Sequence, residues 1–324
     1  MEATLQQAHD LFVSNVDTIV KNFGRIGSER EVCATYLTGV GQKADTEAMR
    51  RCFELLKESS FVLSDERGNF RIPLVTKMSL QDDPEAYLQS VKYVCGELVK
   101  VCTGLSETRL SAAMVIVDHV GTDEIRAATE KTREVFVRLK KRFWRLRRKT
   151  EYLPFAALIA VSGRDTEEAL DEVQECFTIL QPRIRKMLPS RLLALTVAGA
   201  PGPVPEKCER ALAIYDGLSR GRHKLVKGPE LAIIGSLVAS GLPVETIVDE
   251  YVQVFDYFRK QRRAEGILLD GLLVSCVVIA THAFGSAQND EMVNAALSYA
   301  LTSFLILRAT ELVEEVPWRH SGNL

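Results

Sequence analysis

The chain has 324 residues, of which 46% are hydrophobic and 26% are charged, the composition of an ordinary globular protein with a large core or an elongated array. Its 41 Lys and Arg residues nearly balance 43 Asp and Glu residues, and the net charge is −2. This balance argues against a protein that coats nucleic acid non-specifically, so any basic surface must be local.

The first residues, MEATLQQAHD, contain neither a basic region nor an apolar core, so we do not interpret them as a signal peptide. The uncharged stretch 292–307 has 16 residues, whereas a membrane span needs about 20. The seven cysteines form no CxxC motif, and most of them have apolar neighbours. We therefore expect reduced, buried thiols in a cytoplasmic protein without a membrane partner.

An amphipathic helix is predicted over residues 1–24. Apolar residues recur every three or four positions from Leu5 to Phe23, and Gly24 can end the helix. We assign this helix to the N-terminus of a single all-helical domain that covers residues 1–324.

A longer period follows, which we mark by six anchor residues. They stand 42, 41, 41, 38 and 40 residues apart: Phe53, Cys95, Phe136, Phe177, Tyr215 and Phe255. An apolar residue precedes each anchor, and three residues after it comes a leucine, or Phe258 in the last case. A period near 40 is typical of arrays of helical hairpins.

Each unit has a short apolar helix, a turn and a longer helix that carries the anchor. Two turns contain helix-start signals, namely Asp83 before Pro84 and Asp165 three residues before Glu168. We predict an all-α fold, an α-α superhelix with helical hairpins over residues 28–264 and a capping hairpin over residues 265–324. Such an array can also close into a toroid.

Basic residues follow the longer helix in the later units. The stretch KKRFWRLRRK (140–149) has seven Lys and Arg residues in ten positions, and RIRKMLPSR (183–191), RGRHKLVK (220–227) and RKQRR (259–263) occupy equivalent places. We call this set the basic edge. Its candidate residues for contacting an anionic partner are Lys140, Lys141, Arg142, Arg145, Arg147, Arg148, Arg183, Arg185, Lys186, Arg222, Lys224, Arg262 and Arg263.

Three interpretations of the basic edge remain open. Cations at a helix C-terminus complement the helix dipole, although only the last turn feels this effect. A basic edge would also attract an acidic protein surface or, through stacking on Phe143 and Trp144, a nucleic acid. A membrane contact needs a broader apolar face than Phe143, Trp144 and Leu146 provide.

No catalytic, cofactor-binding or metal-binding residue is predicted. GLSRG (217–221) matches the nucleophile-elbow pattern formally, but a helix rather than a strand precedes it. The five histidines have no metal-ligand spacing, and we expect Asp118 and His119 to form a surface pair near a turn.

Several stretches resemble an uncharacterised bacterial family, domain-of-unknown-function family 4003. They are RGNFRIPLVTKMSLQDDPEAYLQSVKYVCGEL (67–98), EYLPFAALIAVSGRDTEEALDEVQECFTIL (151–180) and RALAIYDGL (210–218). The resemblance covers nearly the whole chain and includes the RGN turn at Arg67, Gly68 and Asn69. It implies a helical, cytosolic bacterial protein and no particular activity.

A binding or scaffold protein is our functional prediction, with the basic edge contacting a protein or another anionic partner. The alternative is an enzyme with a central cavity in a closed toroid, its reaction unknown. The apolar terminal helix around Tyr299, Phe304 and Leu307 could additionally form a homodimer.

Overall fold

A computed structural model describes residues 2–23, 29–59, 71–103, 106–143, 150–185, 187–220 and 229–265, together with the positions 274 and 278. All regular structure in these residues is helical, with thirteen α-helices, two short 3₁₀ turns and no strand. The all-α prediction is therefore confirmed. The predicted hairpin over 265–324 and the dimer-forming helix lie almost entirely outside the described residues.

The α-helices follow one another with short connections. Their bounds are α1 Glu2–Phe23, α2 Glu29–Gly39, α3 Thr46–Glu58, α4 Arg71–Met78, α5 Pro84–Leu98, α6 Ser106–His119, α7 Ile125–Arg142, α8 Leu153–Val161, α9 Thr166–Ile184, α10 Met187–Gly199, α11 Val204–Arg220, α12 Ile233–Ala239 and α13 Val244–Glu265.

The even-numbered helices are short and mostly buried. Residues 72–78 of α4, 153–157 of α8 and 231–238 around α12 are covered on every side. A helix that is apolar around its whole circumference avoids water only when other elements surround it. Accordingly α2 contacts α4, α6 contacts α8, and α10 contacts both α8 and α12.

The odd-numbered helices are longer and amphipathic. On α3, for example, Met49, Cys52 and Leu56 face the core, while charged residues occupy the other face. Contacts run from α1 to α3, α5 and α7 in succession, and from α9 to α11 and α13. Many contacts therefore join helices two places apart in the chain.

The anchor residues lie on odd-numbered helices, but four of the six are only half-buried: Phe53, Phe177, Tyr215 and Phe255. The residue before each anchor is at most 1% exposed, and the described leucines three positions after are buried. These two positions are four residues apart and share one helix face, whereas the anchor itself is rotated away. The position most deeply buried in the core is therefore the residue before the anchor, and the repeat itself stays a prediction.

Local signals predicted two helix starts correctly. The Asp83 side chain accepts a hydrogen bond from the Ala86 amide at 2.9 Å, and Pro84 opens α5. The Asp165 carboxylate accepts from the amides of Glu167 and Glu168 at 2.8 and 3.1 Å. Such caps satisfy amides that lack a partner within the helix.

Two glycines mark close approaches between helices. A Cβ atom at Gly217 of α11 would lie 2.5 Å from a Val248 methyl on α13. A Cβ atom at Gly235 of α12 would lie 2.4 Å from the Thr196 side chain on α10. Both glycines are therefore required by packing.

None of the described helices has the length and hydropathy that crossing a membrane demands. The six described cysteines are free and buried, as predicted. Burial raises the pKa of the Cys95 thiol to about 12.

Candidate functional site

The structure describes side chains for five members of the basic edge. They are Lys140, Lys141 and Arg142 of α7, with Arg183 and Arg185 at the end of α9. Arg262 and Arg263 belong to α13, but their side chains lie outside the described part. The remaining members also lie outside it, and these are Arg145, Arg147, Arg148, Lys186, Arg222 and Lys224.

The last turn of α7 carries Lys140, Lys141 and Arg142, where positive charge complements the helix dipole. Arg142 forms an ion pair with Asp171 of α9 and lies 3.7 Å from Glu167. The Lys140 ammonium lies 5.1 Å from the centroid of the Phe136 ring. Lys141 is exposed and has no ion pair with a described residue. The charge of Arg142 is thus neutralised within the fold, whereas that of Lys141 is available.

The end of α9 shows the same division. The Arg183 guanidinium donates to both carboxylate oxygens of Asp216 on α11, at 3.0 and 2.7 Å. Arg185 ends the helix in the left-handed conformation, with φ 61°, and its side chain is exposed. Arg185 has no ion pair with any other described residue.

The described members do not form one compact patch. Arg142 binds Asp171, which stands twelve residues before Arg183 on the same helix. At 1.5 Å per residue, about 18 Å of helix axis separates these two places. The alignment of all four basic segments along one edge stays a prediction, because most of the later residues lie outside the described part.

Phe143 closes the last turn of α7 and is 5% exposed. Its ring centroid lies 6.3 Å from that of Tyr152. Phe143 is therefore a core residue and not a platform for bases, while Trp144 lies outside the described residues.

A buried ion pair that the sequence did not reveal joins α4 to α6. Lys77, 5% exposed, pairs with the Asp118 carboxylate, which also accepts a hydrogen bond from the Tyr87 hydroxyl at 2.7 Å. Burial opposes the charge of Lys77, but the adjacent Asp118 outweighs it and raises the pKa of the ammonium. Burial, reinforced by the Asp118 charge, raises the pKa of Tyr87 well above its ordinary value.

This cluster corrects the expected surface pair at Asp118 and His119. Asp118 lies at the end of α6 and is exposed when all its atoms are counted. Only 15% of its side chain is exposed, however, because the carboxylate turns towards Lys77. His119 instead bonds through Nδ1 to the Val115 carbonyl at 2.8 Å. All three polar partners of the cluster are satisfied, which is typical of a structural network.

A second polar cluster fastens the end of α10. The Lys207 ammonium is 3% exposed and donates to Glu172 at 2.7 Å and to the Ala198 and Ala200 carbonyls at 3.0 and 3.2 Å. Burial raises the pKa of Glu172, but hydrogen bonds from Lys207 and Arg164 outweigh it and lower that pKa. These groups hold helix ends in place.

The GLSRG motif begins inside α11, so its Ser219 does not stand on a strand-to-helix turn. Gly217 faces Val248, and its role is packing. Among the described residues, no three or more His, Cys, Asp and Glu side chains are placed to hold a metal ion.

No curated protein and no solved structure matches the chain significantly. A family model described as protein of unknown function (DUF4003) matches residues 20–308, which is most of the sequence. The chain therefore belongs to the DUF4003 family.

Proposed function

We propose that the protein is a binding or scaffold protein whose basic edge contacts an acidic segment of a protein partner. The observation that carries this proposal is Arg185. Within the described part of the chain it is the one non-glycine residue with a positive φ, and it presents a cation without a carboxylate partner.

The left-handed backbone conformation at Arg185 makes the fold less stable than it would be with glycine at this position. A left-handed conformation costs an ordinary residue roughly 1 to 2 kcal/mol, and glycine is the usual residue at a helix end of this shape. The neighbouring Arg183 already complements the dipole of α9. An exposed arginine at such a position favours a role in contacting a partner.

An acidic protein segment fits this surface better than nucleic acid does. Arg142 and Arg183 already bind Asp171 and Asp216 within the chain, so the edge is built from carboxylate-binding geometry. Glu167 and Asp171 both lie beside Arg142. A long phosphate backbone would have to pass these carboxylates and would be repelled by them. A short acidic segment can bind at the cations without passing the carboxylates.

The proposed scaffold is a superhelical array. Its support is the period near 40 in the sequence, together with contacts between helices two places apart. We place the protein in the cytoplasm, a proposal that the six free, buried thiols support.

The test is binding of a hexaglutamate peptide, with hexaglutamine as the uncharged probe, measured by calorimetry. Salt is raised from about 0.01 M to about 0.15 M, over which the Debye length falls from about 30 Å to about 8 Å. The test variant changes Arg145, Arg147 and Arg148 to Ala. We expect wild-type affinity to fall with salt and the triple variant to bind at least about tenfold more weakly.

A matched control variant removes three cations that do not belong to the basic edge. Lys57, Lys100 and Arg126 are at least half-exposed, and each pairs with a carboxylate three or four residues away in the chain. Changing these three to Ala alters the net charge equally and has little effect on stability. Equal affinity of the two triple variants, or no binding of hexaglutamate at low salt, would contradict the proposal.

A further inference from the structure

Arg191 of α10 is a buried arginine among aromatic rings. It is 9% exposed, and its guanidinium carbon lies 5.7 Å from the Phe143 ring centroid and 5.2 Å from that of Phe177. Three helices meet here, because Phe143 closes α7 and Phe177 belongs to α9. Aromatic rings at these distances stabilise the positive charge.

Two donors of this guanidinium have no acceptor among the described residues. Nε and Nη1 of Arg191 are buried and make no hydrogen bond in the described part of the chain. The N–H groups of a guanidinium point outward within its plane, so their acceptors must lie in that plane. A buried charge that lacks in-plane acceptors is costly, and native structures nearly always supply a partner.

Two other buried cations in the described part of the chain find such partners: Lys77 binds Asp118, and Lys207 binds Glu172 and two carbonyls. Arg133 and Arg210 each leave one buried Nε without a hydrogen bond to a described residue, but each donates through another nitrogen. Arg191 differs because two of its nitrogens lack an acceptor among the described residues. The missing acceptor must be an oxyanion or carbonyl oxygens, because two donors of a planar group require acceptors in that plane.

From this geometry we infer that Arg191, between Phe143 and Phe177, is the binding site for one carboxylate of the acidic segment. This inference rests on the proposed function and names the group that is recognised. A carboxylate is planar and can lie in the guanidinium plane between aromatic neighbours. A phosphate monoester also offers acceptor oxygens, but it is tetrahedral and not planar.

The position suits a ligand that lies on the basic edge. Phe143 directly follows Arg142 in the chain, and Phe177 stands six residues from both Asp171 and Arg183. Along the axis of α9, Phe177 therefore lies about 9 Å from each of the two ion-paired places. An extended peptide gains about 3.3 Å per residue, so one acidic side chain can reach Arg191 while others meet the edge.

The experiment compares Arg191→Lys and Arg191→Met with the wild-type full chain, using the hexaglutamate peptide at low salt. Arg191→Lys keeps the charge but loses the planar pair of donors, and we expect about tenfold weaker binding. For Arg191→Met we expect about 10- to 100-fold weaker binding, the loss of charge-assisted hydrogen bonds. Its thermal midpoint should equal or exceed that of the wild type, because an apolar side chain replaces an unmatched buried charge.

A hexapeptide containing one phosphoserine among glutamines separates the two oxyanion sources. Stronger binding of this peptide than of hexaglutamate, abolished by Arg191→Met, would assign the site to phosphate and overturn the carboxylate assignment. Wild-type hexaglutamate affinity in both Arg191 variants, with weakened binding in the Arg145, Arg147 and Arg148 variant, would overturn this inference and leave the proposed function standing. Unchanged affinity in all of these variants would overturn both.

Discussion

Replacing Gly235 with Ala tests the close packing of helix α10 against helix α12. The new Cβ atom would lie 2.4 Å from both Cβ and Oγ1 of Thr196 and 2.5 Å from its backbone carbonyl carbon. Because one of these atoms belongs to the backbone, a change of rotamer at Thr196 cannot relieve the contact. The two helices must therefore separate by about 1 Å to reach an ordinary carbon–carbon distance.

Two opposing effects set the expected magnitude. Alanine improves the intrinsic helix propensity by about 1 kcal/mol. Overpacking a dense core costs about 1 to 3 kcal/mol, and we place this site at the upper end because buried residues surround it. We therefore expect Gly235→Ala to lower the free energy of unfolding by about 2 kcal/mol.

The assay is urea unfolding followed by circular dichroism, with Gly96→Ala as the matched control. Gly96 also lies within a helix, α5, but a Cβ atom there would meet nothing within 4 Å. The control should therefore stabilise the protein by about 0.5 to 1 kcal/mol. Equal or greater stability of Gly235→Ala relative to the wild type would refute the packing of α10 against α12.

The remaining predictions concern the polar groups. Asp118→Asn leaves the Lys77 ammonium buried without its counter-charge, so we expect a loss of about 3 to 5 kcal/mol in urea unfolding, and a loss below about 1 kcal/mol would contradict a buried pair. Lys77 and Tyr87 both have raised folded-state pKa values, so the folded chain keeps protons that the unfolded chain releases above about pH 10. The stability that these two groups contribute should therefore be fully present below about pH 10 and be lost as the pH rises above it. Tyr87→Phe should make the thermal midpoint less sensitive to pH in this range. A Tyr87→Phe variant with the same alkaline pH profile as the wild type would contradict this coupling. Arg185→Gly should raise stability by about 1 kcal/mol while weakening hexaglutamate binding, and destabilisation would count against backbone strain at this position.

Local features were predictable from the sequence because they depend on residues close together in the chain. Asp83 before Pro84 fixed the start of α5, and Asp165 fixed the start of α9. The repeated apolar positions identified the buried face of the odd-numbered helices that carry the anchors. The residue before each anchor and the leucine after it share that face by helical periodicity alone.

Contacts that depend on packing could not be predicted in the same way. Lys77 and Asp118 stand 41 residues apart, and only the placement of α4 beside α6 brings them together. The pairing of Arg142 with Asp171 depends equally on how α7 and α9 are staggered. Nothing in the sequence predicts a positive φ for Arg185, since arginine rarely adopts one.

Hydrogen–deuterium exchange of the full chain, with and without saturating hexaglutamate, tests the binding role of the basic edge most directly. We expect slower exchange at the end of α7, around Arg185 and in the first turns of α10, with little change in α1 to α3. Slower exchange confined to α1 to α3, or no change anywhere under conditions where calorimetry detects binding, would contradict it.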